Sequence, residues 1–428
     1  MSIYRVGVIG LGTVGSGVVR LLRERREAIR STTGADLELS VVADIDQGRA
    51  QALGLSEGLF VNDAEQVLAR QDLDLVVELI GGLEPARFIV RQALATGRSV
   101  VTANKHLLAE SYPELLAAAR EGGADLYFEA AVAGGIPILK SMREGLAAND
   151  IQAVVGIVNG TCNYILTEMS KRGEQFDNVL AEAQRAGYAE ESPELDVGGH
   201  DSAHKLAVLA TLAFQRLYSL RDIYVEGIER VTPADIGYAA EMGYVIKLLA
   251  IGRRFDAGVE LRVHPTLLRT YHPLAAVDGV FNAVVVETDT AGRLMFYGRG
   301  AGQDPTASAV VADIIDAATR RGKARSTVAD LRAGEVCSME QLTARYFIRF
   351  NAADRYRVLG TIATELGQHR VSIQQVIQME KRPDGVVPVV MFTHPALEAD
   401  VQRAIKLIDA NDFILEPTAL IRVSADDE

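Results

Sequence analysis

Short β-branched apolar runs alternate with stretches of helical periodicity through the first third of the chain, and this alternation predicts a parallel sheet covered by helices. YRVGVI (residues 4–9) reads as a strand, the glycines after it as a turn, and GVVRLLRERREAI as a helix. LELSVVADID, DLDLVVELIGG, SVVTANK and ADLYFEAAVAGG continue the strand series, with helices in EPARFIVRQALATG and PELLAAAREGG. From about residue 150 the pattern loosens. IQAVVGIVNGT and VEGIERV are followed or separated by a long helix from about Asp201 and a helix around YAAEMGYVIKLLAIGRRF, and LRVHPTLL, NAVVVETD and LMFYGRG read as an antiparallel sheet. GAGQDPT, residues 300–306, leads into the helical ASAVVADIIDAATRR, and the basic RRGKARSTVAD reads as a linker. The tail reads strand YFIRFN, helix VLGTIATELGQH, strand VSIQQVIQ, turn RPDG, strand VVPVVMFTH, helix ALEADVQRAIKLIDA and strand LEPTALIRV, a βαββαβ order.

The predicted class is therefore α/β. A doubly wound Rossmann sheet is expected over residues 1–138, an α+β substrate and dimerisation domain over 139–320, a linker over 321–340 and a small βαββαβ domain over 341–428. The glycine turn supplies the first chemistry. Gly10 permits the tight turn, Gly12 lets the backbone approach a pyrophosphate, and Gly15 lets helix pack on strand, with the helix N-terminus contributing its positive dipole. The second strand ends in Asp44 and Asp46, either of which can accept from the ribose 2′-hydroxyl of NAD and would repel the extra phosphate of NADP. The interval from the glycines exceeds the usual ~20 residues, and an extended first helix would account for it.

A second concentration of chemistry lies in GYAEESPELDVGGHDSAHKL, residues 187–206. Glu190, Asp196, Asp201 and Lys205 are its functional candidates, and Asp201 and Lys205 fall one turn apart on one face of a predicted helix. A surface ion pair after a solvated loop would look the same. The helix, however, continues as KLAVLATLAF, so Lys205 belongs where a polar loop meets a packed core.

The 428 residues suffice for two or three domains, and 48% hydrophobic residues suffice for packed cores. A formal charge of −13 disfavours a nucleic-acid partner, whose backbone calls for clustered Lys and Arg. No apolar run is long enough to span a bilayer, and no signal-peptide layout precedes the glycine motif, so a cytoplasmic protein without a membrane partner is expected. Two cysteines, Cys162 and Cys337, make neither a disulfide framework nor a zinc cage.

The ordered motifs GLGTVGSGV, VVELIGGLEPA, VVTANKHLLA, YFEAAVAGGIPI, GIVNGTCNYILTEM, AQRAGYAEESPELDVGGHDSAHKL and GAGQDPTASAVVADI closely resemble homoserine dehydrogenase of the bacterial type that carries a C-terminal ACT domain. The resemblance spans nearly the whole chain. It implies reduction of aspartate 4-semialdehyde to homoserine with NADH or NADPH, on the route to threonine and methionine, by a homodimer or homotetramer. It also implies that Lys105 and Lys205 flank the substrate carbonyl, one of them donating a proton, because hydride arriving at the carbon creates an alkoxide that an ammonium stabilises. Glu190 and Asp201 then match positions that bind the amino-acid part and order the site, with Asp196 in support. Cofactor contacts are implied at Gly10, Gly12, Thr13, Val14, Gly15, Asp44, Asn104, Lys105, Gly187 and Gly302, and a sodium ion at Glu129 with the carbonyls of Val132, Gly134 and Ile136.

Other residues admit plainer or rival readings. His200 and His204 are spaced for a metal but lack a third ligand nearby in the sequence. Cys162 as a nucleophile would imply an acylating aldehyde dehydrogenase of the aspartate-semialdehyde type; as a small apolar side chain it fills core. A non-catalytic sensor of dinucleotide and amino acid is a further alternative, opposed by the full set of Lys105, Lys205, Glu190 and Asp201. In the tail the family loop usually reads Asp-x-Pro-Gly-Val-Leu, whereas this chain has Asp354-Arg355-Tyr356-Arg357-Val358-Leu359. Arg357 would crowd an effector that a glycine admits, so feedback by threonine is expected to be weak or absent.

Overall fold

In a computed structural model, residues 3–320 and 331–425 are described. Of the stretch expected to be a linker, 321–340, residues 321–330 lie outside them. Contacts within the chain define two compact units. The first comprises residues 1–154, 204–221 and 282–333; the second comprises 155–203, 222–281 and 334–428.

Six parallel strands organise the first unit: β1 (Tyr4–Ile9), β2 (Leu37–Ala43), β3 (Phe60–Val61), β4 (Leu75–Glu78), β5 (Ser99–Thr102) and β6 (Leu126–Tyr127). Their order is β3-β2-β1-β4-β5-β6, the doubly wound arrangement in which a ligand crevice opens beyond the strand ends, where the order reverses. β1, β4 and β5 have no polar face because helices cover both sides, and Val6, Val8, Val77 and Val101 are fully buried in one core. The first helix is Thr13–Glu24, and a second, Arg26–Thr33, follows at once. The long interval before Asp44 is thus filled by two helices rather than one extended helix. Lys105 opens a helix that runs to Gly122, longer than PELLAAAREGG suggested.

The second unit holds the helices Gly160–Arg172, Phe176–Arg185 and Pro233–Glu241 and a mixed set of strands. Gly258–Arg269 pairs antiparallel with Tyr244–Phe255 along its whole length, from Gly258 opposite Phe255 to Arg269 opposite Tyr244. This corrects the helix expected around YAAEMGYVIKLLAIGRRF. The helix ends at Glu241, Gly243 takes a left-handed φ of 79° that stops it, and Tyr244–Phe255 is a strand. That strand is buried on both faces, which erases the alternation that marks a half-exposed one. The tail forms strand Tyr346–Ala353, helix Val358–Gln368, strands Ile373–Gln378 and Val386–Thr393, helix Glu398–Asp409 and strand Ile414–Val423. Its strands lie in the order Ile414–Val423, Tyr346–Ala353, Val386–Thr393, Ile373–Gln378, and the first of these pairs parallel with Gly258–Arg269 at Thr266 to Arg422 and Leu267 to Val423. The two helices pack over that sheet on Ile362, Leu366, Val401 and Ile408.

Candidate active site

The glycine turn follows β1 directly. Gly10 has φ 102°, and a Cβ there would lie 2.6 Å from the carbonyl oxygen of Leu79. A Cβ on Gly15 would lie 1.8 Å from the carbonyl oxygen of Gly10, so this glycine serves the turn against its own helix rather than the packing of helix on strand. Around Gly12 nothing lies within 4 Å of a Cβ, which leaves its backbone approachable. Thr13 and Val14 form the first turn of the helix, whose N–H groups point out of its start.

Asp44 sits just past β2 and is tied into this turn. One carboxylate oxygen accepts the N–H of Leu11 and, at 3.5 Å, the Nη1 of Arg49, while the other accepts the N–H of Asp46 at 2.8 Å and keeps a lone pair, so Asp44 sets the spacing between turn and strand end. Asp46 caps the next short helix by accepting from Gly48 at 2.9 Å. Arg49 lies between them, 3.5 Å from Asp44 and 3.3 Å from Asp46.

A residue without an expected role orders the next two strand ends. Glu78, fully buried, accepts the N–H groups of Ile80 (2.8 Å) and Gly81 (3.2 Å) and, on its other oxygen, the hydroxyl of Thr102 (2.7 Å). Thr102 accepts from the N–H of Asn104, and Asn104 caps the following helix through Leu107 while its amide donates to the carbonyl of Gly82 at 2.6 Å. Lys105 is the first residue of that helix. Its neighbour His106 meets His204, the neighbour of Lys205, edge to face with 5.2 Å between ring centroids, so the two lysine-bearing helices approach each other at these positions.

In the second unit the decisive side chain is Asn159. It is 4% exposed and caps the helix Gly160–Arg172, its oxygen accepting the N–H of Cys162 at 2.8 Å. Its amide nitrogen donates to Asp196 at 2.7 Å and to Asp201 at 2.9 Å, so one amide holds two carboxylates together. The hydroxyl of Thr161 donates to the carbonyl of Tyr188 at 2.7 Å and lies 3.4 Å from Asp196. Asp196 stands in the short helix Glu194–Val197, and Gly198 and Gly199 carry the chain to His200, where the helix bearing Asp201 and Lys205 begins. Both of those residues are buried. Glu190 is exposed, and its carboxylate has no partner among the described residues. Gly187, with φ 75°, turns the chain out of the helix Phe176–Arg185 toward Glu190. Cys162 is fully buried and its thiol donates to the carbonyl of Asp196 at 3.1 Å. No group of three His, Cys, Asp or Glu side chains able to hold a metal occurs among the described residues, His200 and His204 included.

Glu129 lies just after β6 and is buried, its oxygens accepting the N–H groups of Leu139 at 2.8 Å and Lys140 at 2.7 Å. Its own N–H donates to Asp313 at 2.8 Å. Burial raises the Glu129 carboxyl above its ordinary range and pushes Asp313 up to about 7, against the lowering effect of the hydrogen bond from the Glu129 N–H. The buried carbonyls of Val132 and Gly134 have no hydrogen-bond partner among the described residues, whereas that of Ile136 accepts from Ile138 at 2.8 Å. Gly134 itself could not be replaced simply: a Cβ would stand 2.4 Å from the carbonyl oxygen of Gly300. Gly302, with φ 116°, caps the helix Gln303–Thr319, which packs on Thr13–Glu24.

A doubly wound sheet whose glycine turn, strand-end aspartate and helix start converge defines the class of nicotinamide-dinucleotide-binding proteins. Residues 10–129 match the family model of the homoserine dehydrogenase NAD binding domain, and residues 137–315 match that of homoserine dehydrogenase. The chain is 42% identical over 433 residues to homoserine dehydrogenase of Neisseria gonorrhoeae, with 99% of each covered. The solved homoserine dehydrogenase of Thiobacillus denitrificans matches it with a TM-score of 0.93 at 43% identity, again over 99% of each chain. A hyperthermophilic archaeal homoserine dehydrogenase, solved in complex with NADPH, matches with a TM-score of 0.65 at 27% identity, over 76% of this chain and 100% of that one. The chain belongs to the homoserine dehydrogenase family, NAD(P)-dependent oxidoreductases. No helix among the described residues is long and apolar enough to cross a membrane.

Proposed function

We infer that the family's reaction, the interconversion of L-homoserine and L-aspartate 4-semialdehyde, is carried out here by two lysines and a carboxylate cluster. The observation that carries this reading is the Asp196–Asn159–Asp201 bridge, from which the same helix reaches Lys205 one turn further on. A substrate ammonium needs carboxylates that are held in place, and an amide bridge holds them without itself adding a charge. Asp201 and the exposed Glu190 take that ammonium, and Asp196 supports Asp201 through Asn159. When bound, the nicotinamide supplies hydride to the aldehyde carbon or accepts it from the alcohol. Lys105 and Lys205 lie on either side of the carbonyl oxygen, stabilise the charge that develops there, and one of them moves the proton.

The pyrophosphate fits the backbone of Gly10, Gly12 and Gly15 and the N–H groups of Thr13 and Val14, with Asn104, Lys105, Gly187 and Gly302 as further cofactor positions. Asp44 retains the capacity to accept a ribose hydroxyl, which favours NAD, and Arg49 beside it can neutralise a 2′-phosphate, so NADP is also accepted. Glu129 with the carbonyls of Val132, Gly134 and Ile136 suits a sodium ion, because two buried carbonyls without partners beside a buried carboxylate are hard oxygen donors in need of a cation. The tail, by its βαββαβ order, is read as an ACT-like regulatory domain.

The test is steady-state oxidation of homoserine with NAD and with NADP. Lys205→Ala should lower turnover by roughly 10² or more while leaving the Michaelis constant for the cofactor nearly unchanged, and Lys105→Ala should be similarly severe. Turnover of both variants within about threefold of the parent chain would remove the lysines from the reaction.

A further inference from the structure

The tail strand Ile414–Val423 carries Arg422 next to its end, the largest fully buried side chain among the described residues, and its guanidinium is shared between two carboxylates. Nε and Nη2 donate to the two oxygens of Glu398, at 2.9 and 2.5 Å, and Nη1 donates to Glu226 at 2.8 Å. Glu398 is fixed in turn by the hydroxyl of Tyr346 at 2.9 Å and the amide of Gln402 at 2.8 Å, so the guanidinium cannot follow Glu226 if that residue moves. Glu226 belongs to Tyr224–Ile228, a segment held at its other side by the N–H of Glu226 donating to the carbonyl of Val263 at 2.8 Å.

What lies against this segment is the chain between the two bridged aspartates. The N–H of Ile228 donates to the carbonyl of Val197 at 2.8 Å. A Cβ on Gly227 would stand 2.4 Å from that same carbonyl oxygen and 2.7 Å from the Cα of Gly198. Gly199, with φ 83°, would meet Val225 at 3.2 Å and the carbonyl oxygen of Glu226 at 3.4 Å. Backbone therefore touches backbone from Gly227 to Val197 and Gly198, with the Glu229 carboxylate also lying against Gly227. Val197 follows Asp196, and Gly199 precedes His200 and Asp201. A displacement of Glu226 is transmitted to the spacing that lets Asn159 hold both carboxylates, since a packed contact of this kind has little slack.

We propose that Arg422 and Glu226 are positioning residues for substrate binding: through Gly227 and Ile228 they hold Val197–Gly199, and hence the Asp196 and Asp201 pair, in its binding geometry. The inference rests on the reading that Asp196 and Asp201 receive the amino-acid part of the substrate. Tyr224, Glu226 and Arg422 also line a cleft of about 980 Å³, which the Glu226 side of the contact faces while Arg422 stays buried.

Steady-state kinetics of the full chain tests it, with Glu226→Gln, Arg422→Lys, the double variant and Asp201→Asn, each first shown to melt as a folded protein. Glu226→Gln keeps the shape and the backbone bonds and serves if Arg422→Lys fails to fold. Glu226→Gln should raise the Michaelis constant for homoserine roughly threefold to tenfold and leave that for the cofactor within about twofold. The double variant should resemble the worse single one, because both changes break one contact, whereas unrelated losses of stability would add. The amide hydrogen of Ile228 should also exchange faster in Glu226→Gln. An unchanged homoserine constant in a folded Glu226→Gln chain, or an equal rise in both constants, overturns the proposal, provided Asp201→Asn weakens homoserine binding. If Asp201→Asn itself leaves homoserine binding intact, the reading of the aspartates falls, and the proposal falls with it.

Discussion

Asn159 does at one position what the sequence motif distributes over a dozen. Its oxygen accepts from the helix start and both protons of its nitrogen go to the two acids, so no N–H is left to donate to a water between Asp196 and Asp201. Asn159→Ala should raise the Michaelis constant for homoserine by roughly 10- to 100-fold, the effect of losing charge-assisted bonds to two carboxylates. The constant for the cofactor should stay within about twofold, and equal movement of both in a kinetic titration would make Asn159 a purely structural cap. The lysines and acids were legible in the sequence because charged residues beside an apolar helix stand out, while Asn159 sat unremarked in NGTCNY. An asparagine before a glycine at a helix start reads as a cap, and only the fold reveals that its second hydrogen-bonding group faces acids from elsewhere in the chain. Glu78 escaped for a related reason, since a carboxylate that accepts backbone N–H groups carries no spacing signature.

Among the elements, the helix Val358–Gln368 shows how a local departure from a family pattern is accommodated. Arg357, standing where that pattern has glycine, caps this helix with φ 73°, so the chain retains the backbone of a glycine while carrying an arginine. A left-handed non-glycine residue costs about 1–2 kcal/mol. Arg357→Gly should therefore raise unfolding stability by about 1 kcal/mol, less whatever the greater freedom of glycine in the unfolded chain removes. Chemical denaturation would measure this, and a loss of stability would show that the arginine side chain compensates its own backbone. Threonine at millimolar concentration should inhibit the parent chain weakly and Arg357→Gly no less; strong inhibition of the parent would mean that the altered loop still admits the effector. The β-branched parallel strands and the tail's order were plain from pattern, because each is short and bounded by turn residues. Tyr244–Phe255 was not, since an apolar run of that length satisfies either period and only Gly243 argued for a break.

For the molecule as a whole, the pairings least visible in the sequence are those that join distant segments, such as Thr266 to Arg422, because neither partner's neighbourhood encodes the other. The same region sets a pH dependence of folding. His264 is fully buried, and the Nη1 of Arg262 donates to its Nε2 at 2.8 Å, which leaves the ring neutral with its other nitrogen donating to the carbonyl of Pro265. Burial first, then the charges of Arg422 and Arg262, hold its pKa well below the ordinary value. A histidine depressed in the folded state contributes stability that is present above its unfolded pKa of ~6.5 and is lost as pH falls below it, by up to about 1.4 kcal/mol per pH unit. Asp313, raised to about 7, acts oppositely: its contribution is complete below the unfolded value and fades as pH rises toward 7. The histidine effect must therefore be read as a difference between chains. Denaturation midpoints from pH 7.5 to 5 should fall more steeply for the parent than for His264→Gln, and parallel curves would place a proton on His264 in the fold.

Asn159 precedes Gly160, and asparagine followed by glycine is the pair whose side-chain amide is most readily lost when a chain is slack, through attack of the glycine nitrogen on the amide carbon. In the native fold that attack is suppressed, because the side chain is buried and bonded at both ends and the glycine is already wound into a helix. The protection lasts only as long as the fold does. Each passage through the unfolded state exposes the bond, and hydrolysis there would return a third carboxylate to a place shaped for two carboxylates and a donor. Such a chain cannot rebuild the bridge, so its loss of activity is permanent although no peptide bond has been cut. Repeated heating and cooling should thus leave an acidic, inactive fraction whose modified peptide contains residue 159, and a ligand that keeps the protein folded should slow this chemical ageing as much as it slows unfolding.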